Sequence, residues 1–367
     1  MIILRRFKCH QWSKNLKLYR HCASLASRSS LDPKSVTSYL QGKVDGFQSY
    51  LSSLTHLDKF HLNEVSSHAF EGKGKFFRPR LVSLVSMCCN CATINSKFSL
   101  QPNQLKLAYI SEMIHVASLI HDDVVDNSSV RRSCPSLSAQ YGESTAVFAG
   151  NFVMAQASVE VASLKNTVVT KLLSQVTEDL VSGELMQLGV KKNSEERLTH
   201  YLEKSYRKTA SLMAHSCKAS SILNAPDFFE RHEACFQIGK NIGLAFQLAD
   251  DLLDFVSAAS QSDKPTNADL ASGLATAPVL FAAFEHNDLN TLIMRQFSAK
   301  GDVKLARDLT LDSSGVRDTE VMIHNHIESA QKLTHKYFVD HPVRTELLNL
   351  QDTILNRISK EKIETMK

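Results

Sequence analysis

Two stretches of the chain, residues 101–121 and 237–249, carry apolar side chains on nearly every side of a helix with 3.6 residues per turn. A helix of that kind has no face to give to solvent, so other helices must surround it. The remaining sequence agrees with a bundle. Apolar residues recur at helical spacing through roughly 35–58, 77–93, 101–125, 144–164, 166–188, 196–222, 228–256, 273–284 and 318–335. Alternating strand patterns are hard to find, and only 13 Gly and 8 Pro punctuate 367 residues. Turn signals separate the segments at Asn127-Ser128-Ser129, Cys134-Pro135, Asn224-Ala225-Pro226 and Asp263-Lys264-Pro265. No repeat of 20–50 residues is visible, which disfavours a solenoid. The expectation is an all-α bundle of roughly ten or more helices forming one large domain.

The formal net charge of +4 is unevenly placed. Residues 1–30 hold Arg5, Arg6, Lys8, Lys14, Lys17, Arg20 and Arg28 and no acid. Setting those seven aside from the 42 basic residues leaves 35 against 38 acidic ones. An arginine-rich, serine-containing, acid-free N-terminus reads as a mitochondrial transit peptide over 1–30, with 31–367 as the mature body and the matrix as its destination. No basic stripe is interleaved with aromatics, so nucleic acid is not an expected partner. No apolar run approaches the roughly 20 residues of a membrane span, which leaves at most peripheral membrane contact. Cys88 and Cys91 have CxxC spacing without a second ligand pair, and with Cys89 they read as buried thiols rather than a zinc site.

The chemistry is concentrated where the two all-apolar segments end. Asp122, Asp123 and Asp126 form a DDxxD in HDDVVDNSSVRR, and Asp250, Asp251 and Asp254 repeat it in FQLADDLLDF. Residues i and i+4 share a helix face, so Asp122 and Asp126 point the same way. Carboxylates packed so closely repel and raise one another's pKa unless a cation neutralises them. Oxygen-only donors suit Mg²⁺, which typically takes one or two carboxylates together with substrate phosphate. A solvated acidic helix face is the plain alternative for one DDxxD; two, each closing an apolar helix, point to a diphosphate site.

Such a site also needs basic groups. Lys75 and Arg78 lie in GKGKFFRPRL, Arg131 and Arg132 follow the first aspartates, and His115 stands two turns before Asp122. Lys208 and Thr209 lie in SYRKTASLMAHS, and Lys264 follows the second cluster. GKGK is not a phosphate-binding P-loop, because the GxxxxGK[ST] spacing is absent.

Together these residues resemble the all-trans polyprenyl diphosphate synthases, the head-to-tail prenyltransferases. The likeness runs over roughly residues 60–360 and includes FFRPRL, EMIHVASLIHDDVVDNSSVRR, EDLVSGELMQLG, YLEKSYRKTASLMAHSCKA, GKNIGLAFQLADDLLDF, KPTNADLASGLATAPVLFA and LQDTILNRISK. The resemblance implies the isoprenoid synthase fold, helices around a central cavity. It implies that Asp122 and Asp126, with Asp250 and Asp254 facing them, hold Mg²⁺ on an allylic diphosphate, farnesyl or geranylgeranyl, with Asp123 and Asp251 in support. Arg131, Lys208, Thr209, Gln247 and Lys264 then bind that diphosphate, while Lys75, Arg78, His115 and Arg132 bind isopentenyl diphosphate. The family works as homodimers or as heteromers with a second synthase subunit. The chain departs from the family pattern at Lys73-Gly74-Lys75, at Ser133 and at Gly150-Asn151.

One turn before Asp122, Ser118 lies on the carboxylate face and Ala117 on its flank. The resemblance makes small residues there permissive for a growing chain, which favours a long product and, with a mitochondrial address, the ubiquinone side-chain precursor. A shorter-chain geranylgeranyl diphosphate synthase and a non-catalytic regulatory subunit are the alternatives. Degraded aspartate motifs are the mark of the latter, and here all six are present.

Overall fold

The structure is a computed structural model that describes residues 33–54, 65, 70, 76–91, 99–131, 134–187, 194–256 and 267–365. The predicted transit peptide lies outside the described residues. In chain order the helices are α1 (Pro33–Leu54), α2 (Phe77–Cys91) and α3 (Pro102–Val125), followed by a two-stranded ribbon, β1 (Val130–Arg131) with β2 (Cys134–Pro135). Then come α4 (Leu137–Tyr141), α5 (Glu143–Ser163), α6 (Thr167–Gln187), α7 (Ser194–Ser205), a π-helical turn (Tyr206–Ala210), α8 (Ser211–Asn224) and α9 (Phe229–Val256). The C-terminal part holds α10 (Ala268–Ala271), α11 (Ala277–Ala282), α12 (Asp288–Met294), α13 (Asp302–Leu311), α14 (Gly315–Tyr337) and α15 (Pro342–Thr365). The all-α expectation holds apart from the ribbon, whose antiparallel register pairs Val130 with Pro135 and Arg131 with Cys134.

The two all-apolar segments do take central places. Helix α3 buries Leu107, Ile110, Met113, Ile114, Val116 and Ile120 in one core, packed chiefly against α5. Helix α9 buries Ile238, Ile242, Ala245, Leu248 and Leu252 in a second core, packed against α8 and α14. Helix α8 lies between them and serves both, giving Met213 and Cys217 to one core and Leu212, Ala219 and Ile222 to the other. Its small side chains allow that: Ser216, Ser220 and Ser221 have no exposed surface. Gly239 of α9 meets it most closely, since a Cβ there would lie 2.5 Å from the Met213 carbonyl oxygen. Burying each Leu, Ile or Met contributes about 1.5–3 kcal/mol, so the two cores fix where α3 and α9 end. Cys88, Cys89 and Cys91 are buried free thiols, as expected.

Three differences from the sequence pattern have physical reasons. The segment expected over 196–222 is broken by the π turn, which apolar spacing does not encode. The segment expected over 273–284 shortens to α11 because Thr276 is extended, at φ −102° and ψ 178°, ahead of Ala277-Pro278. Helices α12, α13 and α15 match none of the expected segments, although in α15 Val343, Leu347, Leu350, Ile354 and Ile358 bury one helical stripe.

Candidate active site

The sequence DDVVDNSS is a helix ending. Asp122 and Asp123 lie in the last turn of α3, and Asp126 is its C-cap residue. Asn127 follows at φ 50°, the left-handed conformation that Asn tolerates best after Gly. Its amide donates to the Val124 carbonyl at 3.3 Å and the Ser128 amide to the Asp123 carbonyl at 2.9 Å, the bond pair of a Schellman ending. Asp250, Asp251 and Asp254 occupy the last turns of α9. Both acidic clusters therefore stand at helix C-termini, where the macrodipole opposes negative charge.

Each aspartate has a different environment. Burial pushes the Asp122 carboxyl up to about 7; Glu184 and Asp126 add to the rise, while Lys208 and Arg131 oppose it. Asp123 is buried and accepts a forked bond from Arg131, whose Nε lies 2.9 and 3.1 Å from the two carboxylate oxygens. Its Nη2 donates to the same group. Arg131, expected on the diphosphate, is thus held in place by Asp123. Asp126 is exposed. In the second cluster, burial pushes the Asp251 carboxyl up to about 6, against bonds from Tyr201 at 2.5 Å and Gln247 at 2.8 Å. Gln247 in turn accepts from Thr209 at 2.6 Å, so Thr209, Gln247, Asp251 and Tyr201 form one chain of hydrogen bonds. Asp254 accepts from the amides of Ala268 and Asp269 at 3.3 and 3.2 Å, capping α10. Asp250 accepts from the Arg357 guanidinium at 2.6 Å.

The π turn YRKTA presents Lys208 and Thr209. Single π turns inside helices recur at functional sites because they redirect side chains. This one is pinned on both sides. Arg207 pairs with buried Asp179 at 3.1 Å, and Asp179 also accepts from Ser211 at 2.5 Å. On the other side, a Cβ on Gly243 would lie 2.5 Å from the Ala210 Cα, so α9 and the turn touch backbone to backbone. Gly183 leaves room on α6 for the Lys208 side chain, whose Cγ would lie 2.8 Å from a Cβ there, and Lys208 reaches Glu184 at 2.5 Å and Gln187 at 3.1 Å. One turn earlier, Lys204 is depressed by burial, an effect opposed by Asp251, Asp269 and Glu184. Asp122 feels Lys208 and Asp251 feels Lys204, so both acidic clusters look onto this one segment.

Arg78 lies in the first turn of α2, beside Phe77, whose ring packs on Phe246 of α9 at 5.1 Å, one turn before Asp250. His115 is half-buried on α3 and its carbonyl accepts from the Ser118 hydroxyl at 2.8 Å. Ala117 has no exposed surface and packs within the α3 core, whereas Ser118 is only half-buried. Lys75, Arg132 and Lys264 lie outside the described residues. The residues that sequence reasoning passed over are Glu184, Tyr201, Lys204 and Arg357. Glu184 and Arg357 sit in EDLVSGELMQLG and LQDTILNRISK, where nothing marks one charge above its neighbours.

The donor set fits a hard divalent cation. The Asp122 carboxyl is raised by burial and by neighbouring acids, and both clusters oppose their helix dipoles; a cation relieves each of these. Among the described residues no three carboxylate, imidazole or thiol side chains form a preassembled cage.

Known proteins share this arrangement of sequence and fold. The family described as "Polyprenyl synthetase" matches residues 59–310. The all trans-polyprenyl-diphosphate synthase of Homo sapiens is 47% identical over 296 residues, covering 81% of this chain and 71% of its own. Subunit 1 of the decaprenyl-diphosphate synthase of Schizosaccharomyces pombe is 34% identical, covering 91% and 94%. Polyprenyl synthase from Caulobacter crescentus, solved with calcium and isoprenyl diphosphate, superposes with a TM-score of 0.75 at 26% identity, covering 89% of this chain and 98% of that one. With two aspartate motifs closing the two central helices and a match across most of its length, the chain belongs to the polyprenyl synthetase family.

Proposed function

We propose that the chain is a Mg²⁺-dependent long-chain all-trans polyprenyl diphosphate synthase. It condenses isopentenyl diphosphate onto farnesyl or geranylgeranyl diphosphate and makes a ubiquinone-type side-chain precursor. The observation that carries this reading is the pair of aspartate clusters closing the two central helices, the second of them bonded through Gln247 to Thr209 of the π turn, beside Lys208.

Asp122, Asp126, Asp250 and Asp254 are the residues to hold the metal. Bound there, Mg²⁺ offsets the charge that builds on the departing diphosphate. The protein's own groups do the rest. Lys208, Thr209 and Gln247 stand on a pinned backbone and are preorganised for the allylic diphosphate, together with Lys264. Asp123 aims Arg131 at the same group, which makes Asp123 a positioning residue; Asp251 does so for Gln247. Lys75, Arg78, His115 and Arg132 receive isopentenyl diphosphate. The apolar faces behind the aspartates exclude water while the allylic carbon–oxygen bond breaks and the isopentenyl double bond attacks. The proton lost in re-forming the double bond leaves with the released diphosphate. No nucleophilic Ser or Cys is needed. Ser118, half-buried on the carboxylate face, and Ala117 beside it set how far the product extends.

An oligomer suits the exposed apolar side chains. Phe148 and Val159 on α5 and Val181 and Leu185 on α6 are each more than half exposed. Val181 also lines a groove of about 520 Å³ between these helices, with Ser158 of α5 and Ser174 of α6. This face is the place for a second copy or a second synthase subunit. The mitochondrial matrix is the proposed location, on the composition of residues 1–30. Among the described residues no helix is long and apolar enough to cross a membrane.

The test is incubation of purified protein with Mg²⁺, labelled isopentenyl diphosphate and farnesyl diphosphate, alone and with its natural partner, followed by chromatographic sizing of products. Long-chain products support the reading, and a product that stops at geranylgeranyl diphosphate supports the shorter-chain alternative. No incorporation under either condition leaves the regulatory-subunit reading standing and overturns the enzyme.

A further inference from the structure

The three acids of the second cluster are satisfied in three different ways. Asp251 is held by neutral donors and Asp254 by backbone amides. Among the described residues, Asp250 is the acid of this cluster that accepts a bond from a cation, the guanidinium of Arg357 at 2.6 Å. Arg357 comes from far away in sequence, near the end of α15. That helix is fixed to the body by the buried Ile354 and Ile358 on either side of it. The guanidinium carbon lies 5.3 Å from the centroid of the Phe246 ring, so the side chain is stacked as well as paired. Both members of the pair keep surface, 34% for the Arg357 side chain and 41% for Asp250.

An arginine with that much freedom is not needed to neutralise a carboxylate that water already reaches. It is suited to occupying one until a stronger charge arrives. A divalent cation on Asp250 competes for the same carboxylate oxygens and repels a guanidinium beside it. The Phe246 ring, packed on Phe77 next to Arg78, keeps the displaced group at the site. We propose that Arg357 is the resting counter-ion of Asp250, displaced by the metal, so that metal occupancy is transmitted to the C-terminal helix. The inference rests on the reading of Asp250 as a metal-binding residue.

By linkage, whatever metal does to the Arg357 contact, the contact does to metal affinity. The experiment is a Mn²⁺ titration of metal-free protein in the presence of inorganic pyrophosphate, with free Mn²⁺ followed by electron paramagnetic resonance and no turnover involved. Arg357→Met keeps an apolar stem on Phe246 and removes the charge; Arg357→Lys keeps the charge and loses the fork. Arg357→Met is expected to bind Mn²⁺ about tenfold tighter, the scale of one charge-assisted hydrogen bond, with Arg357→Lys between it and wild type. Hydrogen exchange over residues 354–360 should rise on adding Mn²⁺ to wild type and not respond in Arg357→Met. Unchanged or weaker Mn²⁺ binding in Arg357→Met, with its circular dichroism intact, overturns the proposal and leaves the enzyme reading standing. Wild type that binds no Mn²⁺ and makes no product overturns both.

Discussion

Asp122→Asn should make the metal-free protein more stable above neutral pH while ending its chemistry. In the fold the Asp122 carboxyl is raised from 3.8 to about 7, chiefly by burial, with Glu184 and Asp126 adding to it. Each unit is worth about 1.36 kcal/mol, so the ionised side chain costs the fold roughly 4 kcal/mol. Water at this half-buried site and adjustment of Lys208 reduce that to about 2 kcal/mol. The sign follows from linkage. The folded state holds the proton more tightly than the unfolded chain, so stability is greatest below the unfolded value of 3.8 and is lost as pH rises through about 7. Asparagine does not titrate, so the advantage of the variant opens between about pH 4 and 7 and is complete near pH 8. In thermal melts with EDTA, Asp122→Asn should melt about 4 °C above wild type near pH 8, and level with it only near pH 3, below the unfolded value of 3.8. Adding Mg²⁺ and pyrophosphate should reverse the order. Wild type gains about 2.7 kcal/mol at a hundredfold excess over Kd, and the variant gains little. A variant less stable than wild type near pH 8 without metal, or a difference that ignores pH, refutes the argument.

Three further substitutions probe the supports of the site. Gly243→Ala puts a Cβ 2.5 Å from the Ala210 Cα. It should cost about 1–3 kcal/mol and lower kcat by displacing the π turn; unchanged melting and turnover would show that the turn tolerates movement. Tyr201→Phe removes the 2.5 Å bond to Asp251. The Asp251 carboxyl should then rise further above 6, with about 1.5–3 kcal/mol lost near pH 8 and less near pH 5, and pH-resolved urea melts without that trend would count against it. Ser118→Phe should shorten the product, whereas Ala117→Phe, at a position with no exposed surface, should shorten it only together with an overpacking loss of about 1–3 kcal/mol. An unaltered product ladder in Ser118→Phe removes that residue from the wall of the cavity.

What the sequence made legible was whatever a single helix determines by itself. The uniform apolarity of 101–121 and 237–249 requires central helices, and α3 and α9 are central. The Asp-Asp-x-x-Asp spacing places carboxylates on one face at a helix end, and Asn127 at φ 50° closes that end. What it hid was whatever two helices decide together. Lys208 lies in a π turn, and that turn is contacted by Asp179 and Gly183 of α6 and by Gly243 of α9. No spacing within SYRKTASLMAHS contains those partners. Arg131 shows the limit from the other direction. Its place after the aspartates is visible, yet its bond to Asp123 depends on the ribbon that turns it back onto α3. A mutation at Asp123 therefore acts through the direction of a guanidinium, and Asp123→Asn should raise KM for the allylic diphosphate more than it alters Mn²⁺ affinity. The reverse pattern would make Asp123 a metal ligand and Arg131 merely its counter-ion.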